Sequence, residues 1–388
     1  MEGIPRALAI TSILIVLLSA CGSQPSPLGQ GSSEVILQMA ESGDPPKFAQ
    51  ATHVKDFEFP EDHGPHFNYQ TEWWYYTGNL QTEDGQRFGY QFTVFRRALA
   101  PGAPPVGDGL ATNQIYFAHL ALTDASGEIH YYNERFSRGA AGLAGAVANP
   151  FNAWVEDWHV RSTEQGAESV HIQASVQEFE LKLDLETLKP IVKHGNNGLS
   201  AKSDEIGNAS YYLSYTRMET NGEIRVGQQT YFVSGLSWFD HEWSTSVLGD
   251  DAVGWDWFGL QLDDGRELML YYIRHADGSI DPISGGTFVS VDGETINLKV
   301  SDVQIAVLDS WTSEDTGTEY PSGWQISLPS LGMDLTVEPL IHAQEMRVSF
   351  TYWEGAVQIT GMQDGRSLSG SGFVELTGYL ESMEGVLS

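Results

Sequence analysis

The sequence predicts an all-β protein of antiparallel strands. Three observations carry that reading: runs in which apolar and polar residues alternate with a period of two, turn dipeptides between those runs, and a scarcity of long helical patterns. Phe88, Tyr90, Phe92 and Val94 form one such run, and Val170, Ile172, Ala174 and Val176 another. Phe179, Leu181, Leu183 and Leu185 follow after a phase change at Gln177-Glu178. Each run reads as a half-buried strand, and the phase change as a turn or bulge. Trp324–Leu328, Met333–Val337 and Met346–Phe350 repeat the pattern in the last third. Between the runs stand Asp84-Gly85, Ser126-Gly127, Asn221-Gly222, Asp264-Gly265, Asp277-Gly278, Asp292-Gly293 and Asp364-Gly365. Such dipeptides tolerate the positive φ that tight hairpins demand, so the strands should close into barrels or sandwiches.

At the N-terminus, Arg6 precedes the apolar stretch Leu8–Leu18, which is followed by Ser19, Ala20 and Cys21. This is the layout of a signal peptide, with a hydrophobic stretch short for a membrane span. Leu18-Ser19-Ala20-Cys21 resembles a bacterial lipobox, in which the cysteine is acylated, palmitate included, and becomes the new N-terminus. Cys21 is the only cysteine, so neither a disulfide framework nor a thiolate metal site accounts for it. Gly22 follows it rather than an aspartate, which by resemblance to Gram-negative sorting rules favours the outer membrane, facing the periplasm. Residues 1–20 are thus expected to be a lipoprotein signal peptide and 21–48 a flexible Ser-, Gly-, Pro- and Gln-rich tether.

About 340 residues remain, more than one ordinary core holds, so two domains are expected. Leu80–Gly85 is echoed by Leu260–Gly265, each after a Trp/Tyr cluster and before a strand that ends near an arginine, Arg96 or Arg274. This spacing suggests a duplicated β unit and places domains at 49–247 and 248–388. With 52 acidic against 20 basic residues the net charge is −32, which repels nucleic acid and anionic headgroups and suits solubility outside the cell.

Three clusters carry candidate chemistry. Asp62-His63-Gly64-Pro65-His66 precedes Glu72-Trp73-Trp74-Tyr75-Tyr76; His63 and His66 have a spacing that can ligate zinc, but no third ligand is identifiable, so no metal is assigned. Trp238-Phe239-Asp240-His241-Glu242-Trp243 sets an imidazole and two carboxylates among aromatics. His241 can serve there as a general acid or base with Glu242 beside it, or be a satisfied core histidine at a domain junction. In Gly254-Trp255-Asp256-Trp257-Phe258, desolvation would keep Asp256 protonated for proton donation, unless it caps a turn. His119, on the face of Ile115 and Phe117, reads as structural. No Gly-x-Ser-x-Gly elbow, P-loop or Rossmann fingerprint occurs, so any catalysis would be acid–base and no cofactor is expected.

Phe59–His66, Thr71–Leu80, Gly89–Arg96, Trp238–Trp243, Trp353–Val357 and Val374–Tyr379 together resemble the carotenoid 1,2-hydratase (hydroxyneurosporene synthase) family and its AttH-like secreted relatives. The resemblance spans nearly all of residues 50 to 380. It implies two tandem lipocalin-like β-barrels with a ligand cleft at or near their junction. It also implies an apolar isoprenoid or lipid ligand, and either acid–base hydration or hydrolysis, as in relatives labelled predicted secreted hydrolases. The other reading is a non-catalytic carrier working with an ABC transporter. His241 and Trp243 match the His-x-Trp of the hydratases, and Tyr272 aligns with their following tyrosine. Arg274 stands where they carry an aspartate, and a cation there would oppose a carbocation. Catalysis is accordingly expected from His241, Glu242, Asp256 and Tyr272, with Trp73, Trp74, Tyr76, Trp238, Trp243, Trp255, Trp257 and Arg274 lining the ligand.

Overall fold

The computed structural model describes residues 47–383 apart from 106–108, 164–165, 247 and 250. The signal peptide, Cys21 and all but the end of the tether lie outside the described residues. Among those described, strands dominate and the helices are three single 3-10 turns. None is long and apolar enough to cross a membrane.

The first sheet runs from Thr71 to Ser244 and holds thirteen strands among the described residues, all antiparallel to their neighbours. Its centre is the long strand Gln229–Ser244 between Thr71–Gln81 and Ala209–Val226. The sheet curls until Gln114–Asp124 and Ile129–Arg138 approach the short strands Ala144–Ala148 and Phe151–Val155, which nearly closes a barrel. Inside it pack the alternating residues of the runs that predicted strands: Phe88, Tyr90, Phe92 and Val94, then Val170 and Ile172, then Phe179, Leu181, Leu183 and Leu185. The phase change at Gln177-Glu178 is the turn joining Ser169–Ser175 to Phe179–Thr187.

A second, ten-stranded sheet runs from Ala252 to Leu376 and wraps its own core, in which Trp324, Ile326, Met333 and Leu335 meet Leu260 and Leu268. The architecture is therefore all-β, lipocalin-like and doubled. The repeat seen in the sequence is a repeated hairpin. Leu80 stands opposite Phe88 in the first sheet, and Leu260 opposite Leu268 in the second.

Two local expectations differ from the structure. Met346–Phe350 is strand only over Glu345–Arg347, because Met346 and Phe350 are drawn into an apolar cluster with Phe95 and Phe117 of the first barrel. Asn221-Gly222 is no turn but lies within Ala209–Val226. A Cβ on Gly222 would sit 2.1 Å from the Lys182 carbonyl oxygen, so glycine serves close strand approach there. Asp364-Gly365, by contrast, has φ of 47° and 81°, as a tight hairpin requires.

The barrels meet along a polar seam. A bulge between Tyr215 and Met218 shifts the register of Ala209–Val226, and Thr216 and Arg217 in it both bond to Glu267 of the second sheet. Lys189 reaches the same carboxylate at 2.7 Å, Gln261 donates to the Thr216 carbonyl at 2.8 Å, and Asn79 to that of Gly372 at 2.8 Å.

Candidate functional site

Alternation decides which side chains meet. On Thr71–Gln81, Trp74 and Tyr76 point into the first barrel, whereas Trp73 and Tyr75 point out toward the second. On the adjoining Gln229–Ser244, Phe239 and His241 go inward with Trp74, to which His241 is directly opposed. Trp238, Asp240 and Glu242 go outward. From the other side Trp255 and Trp257 come forward off Ala252–Leu262, and Glu375 off Arg366–Leu376. Between these walls lies a cleft with an empty volume of about 810 Å³, its open mouth included, lined chiefly by Trp73, Tyr75, Trp255, Trp257, Asp240 and Glu375.

The cleft carboxyls are held in two different ways. Asp240 is buried, and burial pushes its pKa up to about 7, although Ser214, Tyr212 and Trp238 all donate to it. Burial likewise pushes Glu375 up to about 7, with the Trp255 indole donating to it at 2.5 Å. Glu242 instead forms an ion pair with Lys202 at 2.7 Å. Two carboxyls are thus poised to exchange protons near neutral pH against aromatic faces, where a developing cation is stabilised.

His241 and Trp243 do not line this cleft. His241 is fully buried and shares Glu72 Oε1 with His66, at 2.9 and 2.7 Å respectively. Arg96, also fully buried, binds Glu72 Oε2 at 2.8 Å. Burial lowers the His241 pKa, and the bond to Glu72 only partly opposes it. Burial acts the same way on His66, but Glu72 and Asp62 overcome it and raise that pKa. The His66 ring stacks flat on Trp243, with centroids 3.7 Å apart.

His66, Glu72 and His241 present ligand atoms within 4.8 Å of one another, so His66 finds its companions there rather than in His63. Those atoms already satisfy each other, with the Arg96 guanidinium on the same carboxylate. This donor set suits a neutralised hydrogen-bond network better than a cation. His63 stands apart near Tyr215, its pKa lowered by burial to about 3.

Asp256 and Arg274 pair at 2.8 Å on the inner side of the second barrel, where Tyr379 also donates to Asp256. Tyr272 donates to the Val303 carbonyl on that side. These three are brought together, but away from the cleft. Of the residues singled out in the sequence, Trp73, Trp255, Trp257 and Glu242 line the cleft, with Trp238 behind Asp240. Trp74, Tyr76 and Trp243 belong to the first barrel. His119 bridges the barrels, with Tyr352 and Glu134 each at 2.8 Å. Sequence reasoning missed Tyr75, Asp240, Lys202 and Glu375 as cleft residues, and Glu354 behind them. The signal for both glutamates was present: each is a single carboxylate in an otherwise apolar run, Trp353–Val357 or Phe373–Leu376.

Fold and site define a class: double-barrel proteins with an aromatic, carboxyl-lined cleft at the seam. The chain belongs to the AttH-like family, whose model matches residues 50–379. A crystal structure of an AttH candidate from Nitrosomonas europaea is similar at 30% identity and a TM-score of 0.76, covering 86% of this chain and 100% of that one. Kievitone hydratase from Nectria haematococca shares the fold at 12% identity and a TM-score of 0.65, covering 87% and 99%. CghA does so at 10% identity and 0.52, covering 88% and 97%. No curated protein matches by sequence.

Proposed function

We propose that the cleft binds a neutral, apolar, unsaturated small molecule of isoprenoid or lipid type and adds water across one of its double bonds. The observation that carries this reading is Asp240, a buried carboxyl with a pKa of about 7 in a cavity walled by tryptophans. Asp240 in its acid form gives its proton to one alkene carbon. The cation on the other carbon rests against the Trp255 and Trp257 faces, and water attacks it there. Anionic lipids are disfavoured, because three carboxyls, Asp240, Glu242 and Glu375, line the cleft with one lysine, Lys202, which is already paired with Glu242. Kievitone hydratase, on the same fold, is by name a hydratase, which supports the reaction class.

Hydration of a carotenoid double bond is the finer form of this reading. Arg274, the departure from the hydratase pattern, is paired with Asp256 on the far side of its sheet and does not oppose a cation in the cleft. We further propose that Cys21 is lipidated and holds the protein at the outer membrane of the envelope. Detergent-phase partitioning lost in Cys21→Ser would support this, and partitioning retained would refute it. The test of the reaction is incubation with polyene and lipid extracts in ¹⁸O-water. Gain of one labelled water, abolished in Asp240→Asn, is expected. Tight binding with no label in any alkene would overturn hydration and favour a carrier that passes its ligand to an ABC transporter.

A further inference from the structure

Hydration needs a second group. When water attacks the cation its oxygen forms the C–O bond, and one of its O–H bonds must break toward a base. The wall opposite Asp240 supplies one. Glu354 and Glu375 stand directly opposed on the neighbouring strands Thr351–Gln363 and Arg366–Leu376, with their side chains on the same face. Glu354 is fully buried, and its Oε1 accepts from the Tyr75 hydroxyl at 2.8 Å. Its Oε2 is buried without a donor. The two carboxyls lie within hydrogen-bonding reach of each other, so a proton can be held between them. No cation is among the groups acting on either residue. Two adjacent buried carboxylates cannot both stay charged without one, so the pair retains a proton.

We propose that Glu375, backed by Glu354, is the base of the cleft, the pair holding one shared proton and taking a second from the attacking water. This rests on the hydration reading. Glu375 touches the cleft and is the catalytic residue; Glu354, behind it, is a positioning residue. The direction of transfer follows from charge. Losing the shared proton would leave two neighbouring buried anions, whereas gaining one makes the pair neutral against Trp255 and Tyr75. The books balance: Asp240 loses one proton to carbon, the pair gains one from water, and return of that proton to Asp240 through solvent resets the site.

Burial and the Glu375 charge raise Glu354 well above the usual carboxylate range, while Glu375 titrates at about 7. The other titratable groups facing the pair are Tyr75 from the first barrel, Tyr352 from the same strand as Glu354, and Asp240 and Glu242 across the cleft, Glu242 carrying Lys202. The tyrosines stay protonated because burial raises both. Glu242 is acidic and adds to the proton affinity of Glu375.

The test uses Glu354→Gln and Glu375→Gln, each of which keeps an oxygen acceptor for Tyr75 or Trp255. Infrared difference spectra against pH need no substrate. A protonated-carboxyl band persisting above neutral pH is expected in the wild type, lost in Glu354→Gln and displaced in frequency in Glu375→Gln, where burial still protonates Glu354; a band unchanged in either variant overturns the shared proton. With a hydrated alkene in hand, Glu375→Gln should lower the rate by about 10²-fold while leaving ligand binding unchanged. Glu354→Gln removes the carboxyl hydrogen bond that lowers Glu375, so the acid limb of the pH–rate profile should move to higher pH. An unmoved limb overturns the positioning role. A persistent band with no alkene hydrated would sink the hydration reading and the base role with it, yet leave the proton-sharing pair standing.

Discussion

Glu267→Gln is predicted to loosen the seam that holds the cleft walls together. Glu267 is fully buried in the second sheet and receives two cations from the first barrel, Lys189 on Oε2 at 2.7 Å and Arg217 on Oε1 at 2.5 Å. Thr216 donates to Oε2 as well. Lys189 spends its remaining donors on the carbonyls of Gly265 and Ser290, and Arg217 donates also to those of Leu262 and Arg266. Glutamine keeps one acceptor oxygen but turns an amide N–H₂ toward the other cation, leaving two positive charges buried without a counter-ion. Removing one partner of a buried pair costs about 3–5 kcal/mol. The assay is equilibrium urea unfolding with fluorescence and far-UV circular dichroism, comparing midpoints at constant slope. A combined Lys189→Met, Arg217→Met, Glu267→Leu variant should recover most of the loss, since apolar replacement of a whole buried ion cluster is often neutral. A loss under about 1 kcal/mol for Glu267→Gln, as for an exposed pair, would refute the reasoning.

Three further outcomes are expected. Trp255→Ala removes one aromatic wall and should weaken binding of a neutral fluorescent apolar probe about tenfold, or ~1.4 kcal/mol, by titration. Glu72→Gln should flatten the dependence of melting temperature on pH at both ends. Burial opposes the Glu72 charge, but Arg96 and His66 hold its pKa well below 4.5, so its stabilisation is lost as pH falls through that lowered value. The His66 pKa is raised above 6.5, so its share is complete below 6.5 and lost as pH rises through the raised value. Gly89→Ala would place a Cβ 2.4 Å from that of Ala356 across the seam and should cost about 1–3 kcal/mol in calorimetry, whereas a neutral result would mean the barrels part freely.

The same period of two that made the fold legible scattered the site. The alternating runs announced strands, and the hairpin repeat was visible in Leu80–Gly85 and Leu260–Gly265. In Trp238–Trp243 the clustered chemistry looked like one constellation, yet neighbours on a strand face opposite ways. His241 and Trp243 join Glu72 and Arg96 under the first barrel, while Asp240 and Glu242 enter the cleft. Asp256 divides from Trp255 and Trp257 in the same manner. No local pattern tells which face of such a strand meets the second barrel. The choice is made by the seam, through contacts far apart in sequence such as Glu267 with Arg217 and Tyr75 with Glu354. Pairing each outward residue with its register partner, Trp73 with Glu242 and Tyr75 with Asp240, recovers one wall of the cleft. The other wall needs the second sheet, where Glu354 and Glu375 gain their meaning only from being opposed. A carboxylate alone in an apolar strand marks this site only where a register partner opposes it, as Glu354 does Glu375, since Glu72 and Asp256 stand in such runs outside the cleft. The histidine in the aromatic motif marks instead the buried network that braces the wall behind it.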